Sequence, residues 1–91
     1  MSVRIEIPAP MRELTNGQIE VPVEGKIVQE ALDHLIKLFP ALKTKLFDDR
    51  NLLRQHINIF VNDEDIRYLD EMNTAVAPGT LIALIPAVAG G

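Results

Sequence analysis

The chain has 91 residues and no cysteine, 47% of its residues are hydrophobic, and its net charge is -4. That length predicts one domain with a single core, too small to enclose a large catalytic cavity as well. The composition excludes a disordered chain, the negative charge argues against a nucleic-acid partner, and the missing cysteine excludes disulfides, thiol nucleophiles and thiolate metal sites.

The first two predicted elements are strands that form a hairpin. Apolar and charged residues alternate over 3–7, which gives one buried and one solvated face. Asn16-Gly17 is a strong turn signal, and a second alternation begins after it at Ile19, which is expected on the buried face. Pro22 cannot donate a ladder hydrogen bond, so this strand is predicted at an edge of the sheet.

An amphipathic helix is predicted over 26–39. Apolar side chains recur there every three or four residues, with polar side chains on the opposite side. Gly25 is the only N-cap candidate, and Pro40 ends the helix because the residue before a proline disfavours helical backbone. A short second helix over 41–47 and a surface connection over 48–55 are expected to follow.

Three further strands complete the predicted sheet. Residues 57–62 form the clearest of them, with Phe60 on the face opposite to the core. Residues 63–65 are predicted to be an exposed turn, and residues 66–68 a short strand. Pro78-Gly79 fits a type II turn that leads into the final strand.

The final strand is predicted to be central in the sheet. Leu81 to Ile85 is uniformly apolar, which is typical of a strand buried on both faces, and Pro86 is expected to end it. The resulting order, β-β-α-β-β-β, predicts an α+β fold in which one main helix covers one face of a mixed sheet and leaves the other open. Residues 1–86 form this domain, and residues 87–91 are expected to be a flexible tail of small side chains.

Alternation along the final strand also predicts a partner-binding surface. If Ile82 and Leu84 point to the core, four apolar side chains lie on the open face of the sheet: Phe60, Leu81, Ala83 and Ile85. An apolar patch on a small charged domain is typical of a partner site. The alternative is a patch that other side chains of the same domain cover.

The sequence contains no complete set of residues for the catalytic or metal-binding sites that we considered. The only serine is Ser2, near a terminus, and two histidines, His34 and His56, are too few for a metal site. Asn62 to Asp65 suggests a calcium loop, but Tyr68 stands where that loop requires glycine. We therefore expect no enzyme, no metal and no bound cofactor. No segment has the pattern of a signal peptide or a membrane span, so a cytoplasmic protein without a membrane partner is expected.

The predicted strand order, V-N-D-E-D-I-R at 61–67, Pro78-Gly79 and P-A-V-A-G-G at 86–91 together resemble the ubiquitin-like sulfur carriers of the MoaD/ThiS type. The resemblance covers essentially the whole chain and implies a ubiquitin-like β-grasp fold. Within that family, the strand at 57–62 with its following turn and the A-V-A-G-G ending are most similar to carriers that supply sulfide for cysteine biosynthesis. Small subunits of molybdopterin synthase are the alternative, although they often have a shorter segment than 41–56.

The resemblance implies a specific chemistry at the chain end. An adenylating enzyme of the ubiquitin-activating type would use ATP to activate the carboxylate of Gly91, and sulfide would then displace AMP to give a thiocarboxylate. Gly91 would carry the sulfur. The residues that approach or enter the partner's active site would be Pro86, Ala87, Val88, Ala89 and Gly90.

The resemblance also implies further partners and alternatives. The acceptor of sulfur would be a cysteine-synthase-like enzyme or a molybdopterin synthase large subunit, and a zinc hydrolase could release the product. A ubiquitin-like modifier that forms isopeptide bonds from Gly91 is a second interpretation, and a non-covalent interaction domain is a third.

Overall fold

The computed structural model describes residues 2–87 of the chain. The strands in this part are β1 (Val3–Glu6), β2 (Glu20–Val23), β3 (Ile57–Val61), β4 (Glu64–Asp65) and β5 (Leu81–Pro86). The α-helices are α1 (Val28–Leu38) and α2 (Lys43–Leu46). Short 3-10 segments lie at Ala9–Thr15, Pro40–Leu42, Ile66–Tyr68 and Glu71–Asn73. None of the described helices is long and apolar enough to cross a membrane.

The five strands form one mixed sheet in the order β2-β1-β5-β3-β4. Strand β5 is central: it pairs parallel with β1 and antiparallel with β3. Strand β2, which contains Pro22, lies at an edge as predicted. Helix α1 buries Val28, Ala31, Leu32 and Leu35. The predicted α+β arrangement, with one main helix on a mixed sheet, is therefore confirmed.

The core between α1 and the sheet is aliphatic. Leu32 of the helix and Ile5 and Ile82 of the sheet are each 0% exposed. Burying a side chain of this size stabilises the fold by roughly 1.5–3 kcal/mol. Phe47, at 5% exposed, is the buried aromatic residue of this core among the described residues, and the half-buried Phe39 packs against it.

The connection between β1 and β2 is longer than a simple hairpin, because a 3-10 segment precedes the predicted turn. Asn16 and Gly17 have φ of 56° and 81°, the left-handed backbone that the turn signal predicted. Thr15 is buried, with its hydroxyl 3.0 Å from the carbonyl oxygen of Gln18. Ile19 is 56% exposed, so its predicted burial is wrong: β2 begins only at Glu20, and Ile19 still belongs to the connection.

The N-cap prediction for α1 is also wrong. Ile27 occupies the N-cap position, and the carboxylate of Glu30 accepts a hydrogen bond of 2.8 Å from the N–H of Lys26. Gly25 has a different function. A Cβ atom at Gly25 would lie 2.7 Å from the backbone nitrogen of Ala31, so glycine permits the chain to pass close to the helix.

The segment after β3 differs from the predicted turn and strand. Asn62 and Asp63 both have positive φ, 48° and 73°, and form a two-residue turn, so pairing resumes at once in Glu64–Asp65. Residues 66–68, predicted as a strand, are a 3-10 segment instead. The side chain of Asp65 explains this result, because it accepts a hydrogen bond of 2.9 Å from the N–H of Arg67 and so caps the segment.

Asp65 and Arg67 also form a charge-assisted pair. The guanidinium Nη2 of Arg67 lies 2.6 Å from Oδ2 of Asp65, whose residue is only 8% exposed. The hydrogen bond from the Arg67 side chain, followed by that from its backbone N–H, lowers the pKa of Asp65. The same pair raises the pKa of Arg67.

Strand β5 begins after the predicted turn and extends one residue further than predicted. Gly79 has a φ of 89°, and Thr80 N–H donates to the carbonyl of Ala77 at 3.0 Å, as a type II turn requires. Pro86 is part of β5 and lies opposite Ile57. Its missing N–H would point toward β1, which has already ended at Glu6, so no ladder bond is lost.

We predict that Gly25→Ala destabilises the protein by about 1–3 kcal/mol, because the new methyl group must displace the backbone of α1 near Ala31. Urea denaturation of both proteins measures the difference. Gly17→Asn is the control, since its site is open and asparagine tolerates positive φ. Wild-type stability in Gly25→Ala would contradict the close approach.

A second prediction concerns pH. The pKa of Asp65 is lowered in the folded state, so the pair's contribution to stability is complete above the unfolded-state pKa of about 3.9. It is lost as pH falls from there through the folded-state value. Asp65→Asn should therefore lose less unfolding free energy than the wild type in this acidic range. Asp70→Asn, an exposed substitution with the same charge change, should follow the wild type; equal slopes in all three proteins would refute the prediction.

Candidate partner-binding surface

Strand β5 has two different faces. Ile82 and Leu84 are 0% and 2% exposed, which confirms the predicted parity of the strand. On the other face Leu81 and Ala83 are half-buried and Ile85 is 45% exposed. The prediction that this strand is buried on both faces is therefore wrong for the isolated chain. The helical layer covers only one side of the sheet. Strand β5 therefore has more apolar side chains than the core of the isolated chain buries.

Phe60 joins these side chains on the open face. It is half-buried and lies directly opposite Ala83 in the pairing of β3 with β5. Residues paired in this way share a face, with Cβ atoms roughly 5 Å apart. The structure thus brings together the predicted patch, which we call the open-face strip: Phe60, Leu81, Ala83 and Ile85.

Polar residues that sequence reasoning did not assign to the site flank the strip. Arg4 lies opposite Leu81 and Glu6 opposite Ala83 on β1, while Asn58 lies opposite Ile85 on β3. Arg4 Nη1 is 2.9 Å from Oε1 of Glu20, with both side chains largely solvated. Such a pair contributes little to stability, but it gives the apolar strip the polar rim that protein interfaces commonly have.

Asn62 fixes the start of the strip. Its backbone N–H donates to the carbonyl of Leu81 at 2.9 Å, and its side-chain Oδ1 accepts from the N–H of Leu81 at 3.0 Å. The side chain therefore completes the β3–β5 ladder one residue beyond β3. Asparagine suits this position because it tolerates the left-handed backbone found here. The only sequence signal was its place in the turn after β3.

The strip leads to the chain end. Pro86 is half-buried, Ala87 is exposed, and Ala87 N–H donates to the carbonyl of His56 at 2.6 Å. Strand pairing thus continues as far as Ala87, the last described residue. The remaining predicted site residues, Val88, Ala89, Gly90 and Gly91, lie outside the described residues.

The open-face strip contains no ionisable side chain. Between Ser2 and Ala87, no group of three or more histidine, cysteine or acidic side chains is arranged to hold a metal ion. His34 is already engaged, because its Nδ1 accepts a hydrogen bond of 2.8 Å from the N–H of Glu24.

The chain is similar to proteins named as sulfur carriers and as modifiers. It is 34% identical over 93 aligned positions to the sulfur carrier protein CysO of Mycobacterium tuberculosis, with 100% of both chains covered. A chain in the crystal structure of the Amycolatopsis orientalis BexX/CysO complex matches the fold with a TM-score of 0.89 at 34% identity, covering 98% of this chain and 99% of the other.

A modifier protein has the same fold. Small archaeal modifier protein 1 of Methanosarcina acetivorans matches with a TM-score of 0.89 at 31% identity, covering 99% of this chain and 96% of the other. These likenesses confirm the ubiquitin-like β-grasp fold. Residues 5–91, from β1 to the last residue of the sequence, match the ThiS family. The chain belongs to the ThiS family.

Proposed function

We propose that this protein is a sulfur carrier whose C-terminal carboxylate, on Gly91, is adenylated and converted to a thiocarboxylate. The observation that carries the proposal is the open-face strip, which borders β5, the strand whose pairing extends to Ala87, four residues before Gly91. A partner enzyme that docks on the strip would have the last described residue, Ala87, close to its contact surface. The full-length similarity to a protein named as a sulfur carrier supports this reading.

The chemistry follows from the carboxylate. A carboxylate oxygen of Gly91 attacks the α-phosphate of ATP, the bond to pyrophosphate breaks, and an acyl-adenylate forms. Sulfide then attacks the carbonyl carbon, the bond to AMP breaks, and AMP leaves with the electron pair. The product is a thiocarboxylate at Gly91. This chain supplies a co-substrate, and the adenylating partner of the ubiquitin-activating type supplies ATP binding and catalysis.

The length of the C-terminal segment is compatible with catalysis by a partner enzyme. Four fully extended residues, 88–91, span at most about 14 Å. That distance is enough for Gly91 to enter a partner's active site while the domain remains outside. Glycine at the last two positions adds no side chain, so a narrow channel can close around the backbone.

For the sulfur acceptor, we propose cysteine biosynthesis, with a cysteine-synthase-like enzyme as the recipient and a zinc hydrolase to release the product. Similarity to CysO proteins favours this route over a molybdopterin synthase large subunit. The likeness to small archaeal modifier protein 1 supports one competing function, in which Gly91 forms an isopeptide bond with lysine. Mass spectrometry of protein purified from its own cells separates them: oxygen-to-sulfur exchange at the terminus supports the carrier, whereas lysine adducts support the modifier.

We predict that Gly90→Val, with Gly91 retained, severely reduces adenylation. Valine adds a β-branched side chain and excludes positive φ, so a channel fitted to glycine should reject it, while the reacting carboxylate is unchanged. Pyrophosphate exchange with the cognate adenylating enzyme measures the effect.

A variant lacking Gly90 and Gly91 is the reference for complete loss of exchange. Both proteins should melt like the wild type, because glycine has no side chain to contribute to a hydrophobic core. Wild-type pyrophosphate exchange by Gly90→Val would show that the channel accepts valine at this position. A large loss of thermal stability in either variant would show that the terminus stabilises the fold.

The strip itself is tested by Phe60→Glu. A charge at its centre must be desolvated without a partner when the adenylating enzyme docks, so we expect the Kd to rise at least tenfold. Tyr68→Glu is the matched control, because Tyr68 is 83% exposed and lies outside the strip. Equal affinity of the two variants would argue against docking here, and unfolding of Phe60→Glu would show that Phe60 belongs to the core.

A further inference from the structure

One row of paired residues crosses all five strands on the open face of the sheet. Strand pairing places Glu20 of β2 opposite Glu6 of β1, and Glu6 opposite Ala83 of β5. The row continues to Phe60 of β3 and ends at Asp65 of β4. Because neighbouring strands are about 4.8 Å apart, Glu6 lies roughly 10 Å from Phe60. The row is therefore apolar in the middle and acidic at both ends.

The carboxylates of this row are not equally neutralised. Nη2 of Arg67 lies 2.6 Å from Oδ2 of Asp65. At the other end of the row, Nη1 of Arg4 lies 2.9 Å from Oε1 of Glu20. Glu6 takes part in no salt bridge within the part of the chain that the structure describes. It therefore places an uncompensated negative charge beside the open-face strip.

The position of Glu6 opposite Glu20 is unfavourable in the free chain. The N–H of Ile7 donates to the carbonyl of Ile19 at 2.7 Å, so the adjacent glutamate pair is a non-hydrogen-bonded pair of the ladder. Cβ atoms at such pairs are about 5 Å apart, and like charges there destabilise the sheet. Arg12, the next cation along the chain, donates its Nε to the carbonyl of Ile7 at 3.0 Å and forms no ion pair among the described residues.

Docking on the open-face strip would change the surroundings of Glu6. This residue is half-buried in the free chain, and its neighbour in the row, Ala83, belongs to the strip. A partner that covers Ala83 and Phe60 therefore also removes water from the carboxylate of Glu6. A desolvated charge opposes binding strongly unless the partner supplies an opposite charge. An arrangement that costs stability in the free chain is typical of a functional surface.

We propose that the partner enzyme presents a basic side chain to Glu6 when it docks on the open-face strip. The inference rests on the proposed function, since it concerns the adenylating enzyme that docks there. The basic group lies between Glu6 and Glu20, where it replaces their mutual repulsion by attraction to both carboxylates. The charged contact and the apolar contact at Phe60 are separate points of one row, so together they fix the orientation of the partner and contribute to its specificity.

Other cations fit this position less well. A second copy of this chain would present Arg4 and Arg67 on its own open face, and both guanidinium groups are already paired. A metal ion would be held poorly, because calcium takes six to eight oxygen ligands and two carboxylates provide few of them. No group of three or more potential metal ligands occurs between Ser2 and Ala87. A basic side chain of a different protein is the occupant that the charges favour.

The test separates stability from affinity. Glu6→Gln removes the charge at nearly constant size, so it relieves the repulsion with Glu20 in the free chain. Its melting temperature should equal or exceed that of the wild type. Its Kd for the cognate adenylating enzyme, measured by calorimetry, should nonetheless rise at least about fivefold, because the partner's cation loses its counter-charge. A residue with a purely structural role would lower stability and affinity together.

Two further variants sharpen the comparison. Glu6→Lys should attract Glu20 and keep the fold stable, yet it should bind more weakly than Glu6→Gln because it repels the partner's cation. Glu13→Gln is the matched control, since Glu13 is exposed, lies in the 3-10 segment outside the sheet and undergoes the same charge change. It should bind like the wild type. Added salt should weaken binding of the wild type more than that of Glu6→Gln.

Each outcome has a distinct meaning. Wild-type affinity in Glu6→Gln would overturn the charged contact and leave docking on the strip unaffected. Equal weakening by Glu6→Gln and Glu13→Gln would identify an effect of net charge and would also overturn it. A lower melting temperature in Glu6→Gln would contradict the repulsion in the free chain. If the wild type neither binds the adenylating enzyme nor supports pyrophosphate exchange, the proposed function fails, and the charged contact fails with it.

Discussion

The arrangement of this protein depends on the pairing of β5 with two neighbours at once. Its register with β1 and β3 places Ile82 and Leu84 in the buried core, and by alternation it places Leu81, Ala83 and Ile85 on the open face. A slip of one residue on either side would exchange the two sets. The buried contacts that stabilise the fold therefore also position the surface proposed for docking, so core and surface cannot vary independently along this strand.

The way β5 ends is a consequence of the same pairing. Because β1 stops at Glu6 while β3 begins at Ile57, the last residues of β5 have a neighbour on one side only. That asymmetry accommodates Pro86 without a lost hydrogen bond, and Ala87 is held by the carbonyl of His56 on β3's side of the sheet. The last described residue of the chain is therefore fixed at the end of the apolar strip by strand pairing.

Periodicity and turn chemistry predicted most of the fold. The alternation in β3, the edge position of Pro22 and the turn at Pro78-Gly79 are local properties, and each is confirmed. The wrong predictions concern residues whose contacts cannot be inferred from the neighbouring sequence pattern. Gly25 is explained by the backbone of α1, not by capping, and the hydrogen bonds of Asp65 convert an apparent strand into a 3-10 segment. The polar rim around the strip could not be predicted, because it depends on the parallel pairing of β1 with β5, and no local sequence pattern indicates that pairing.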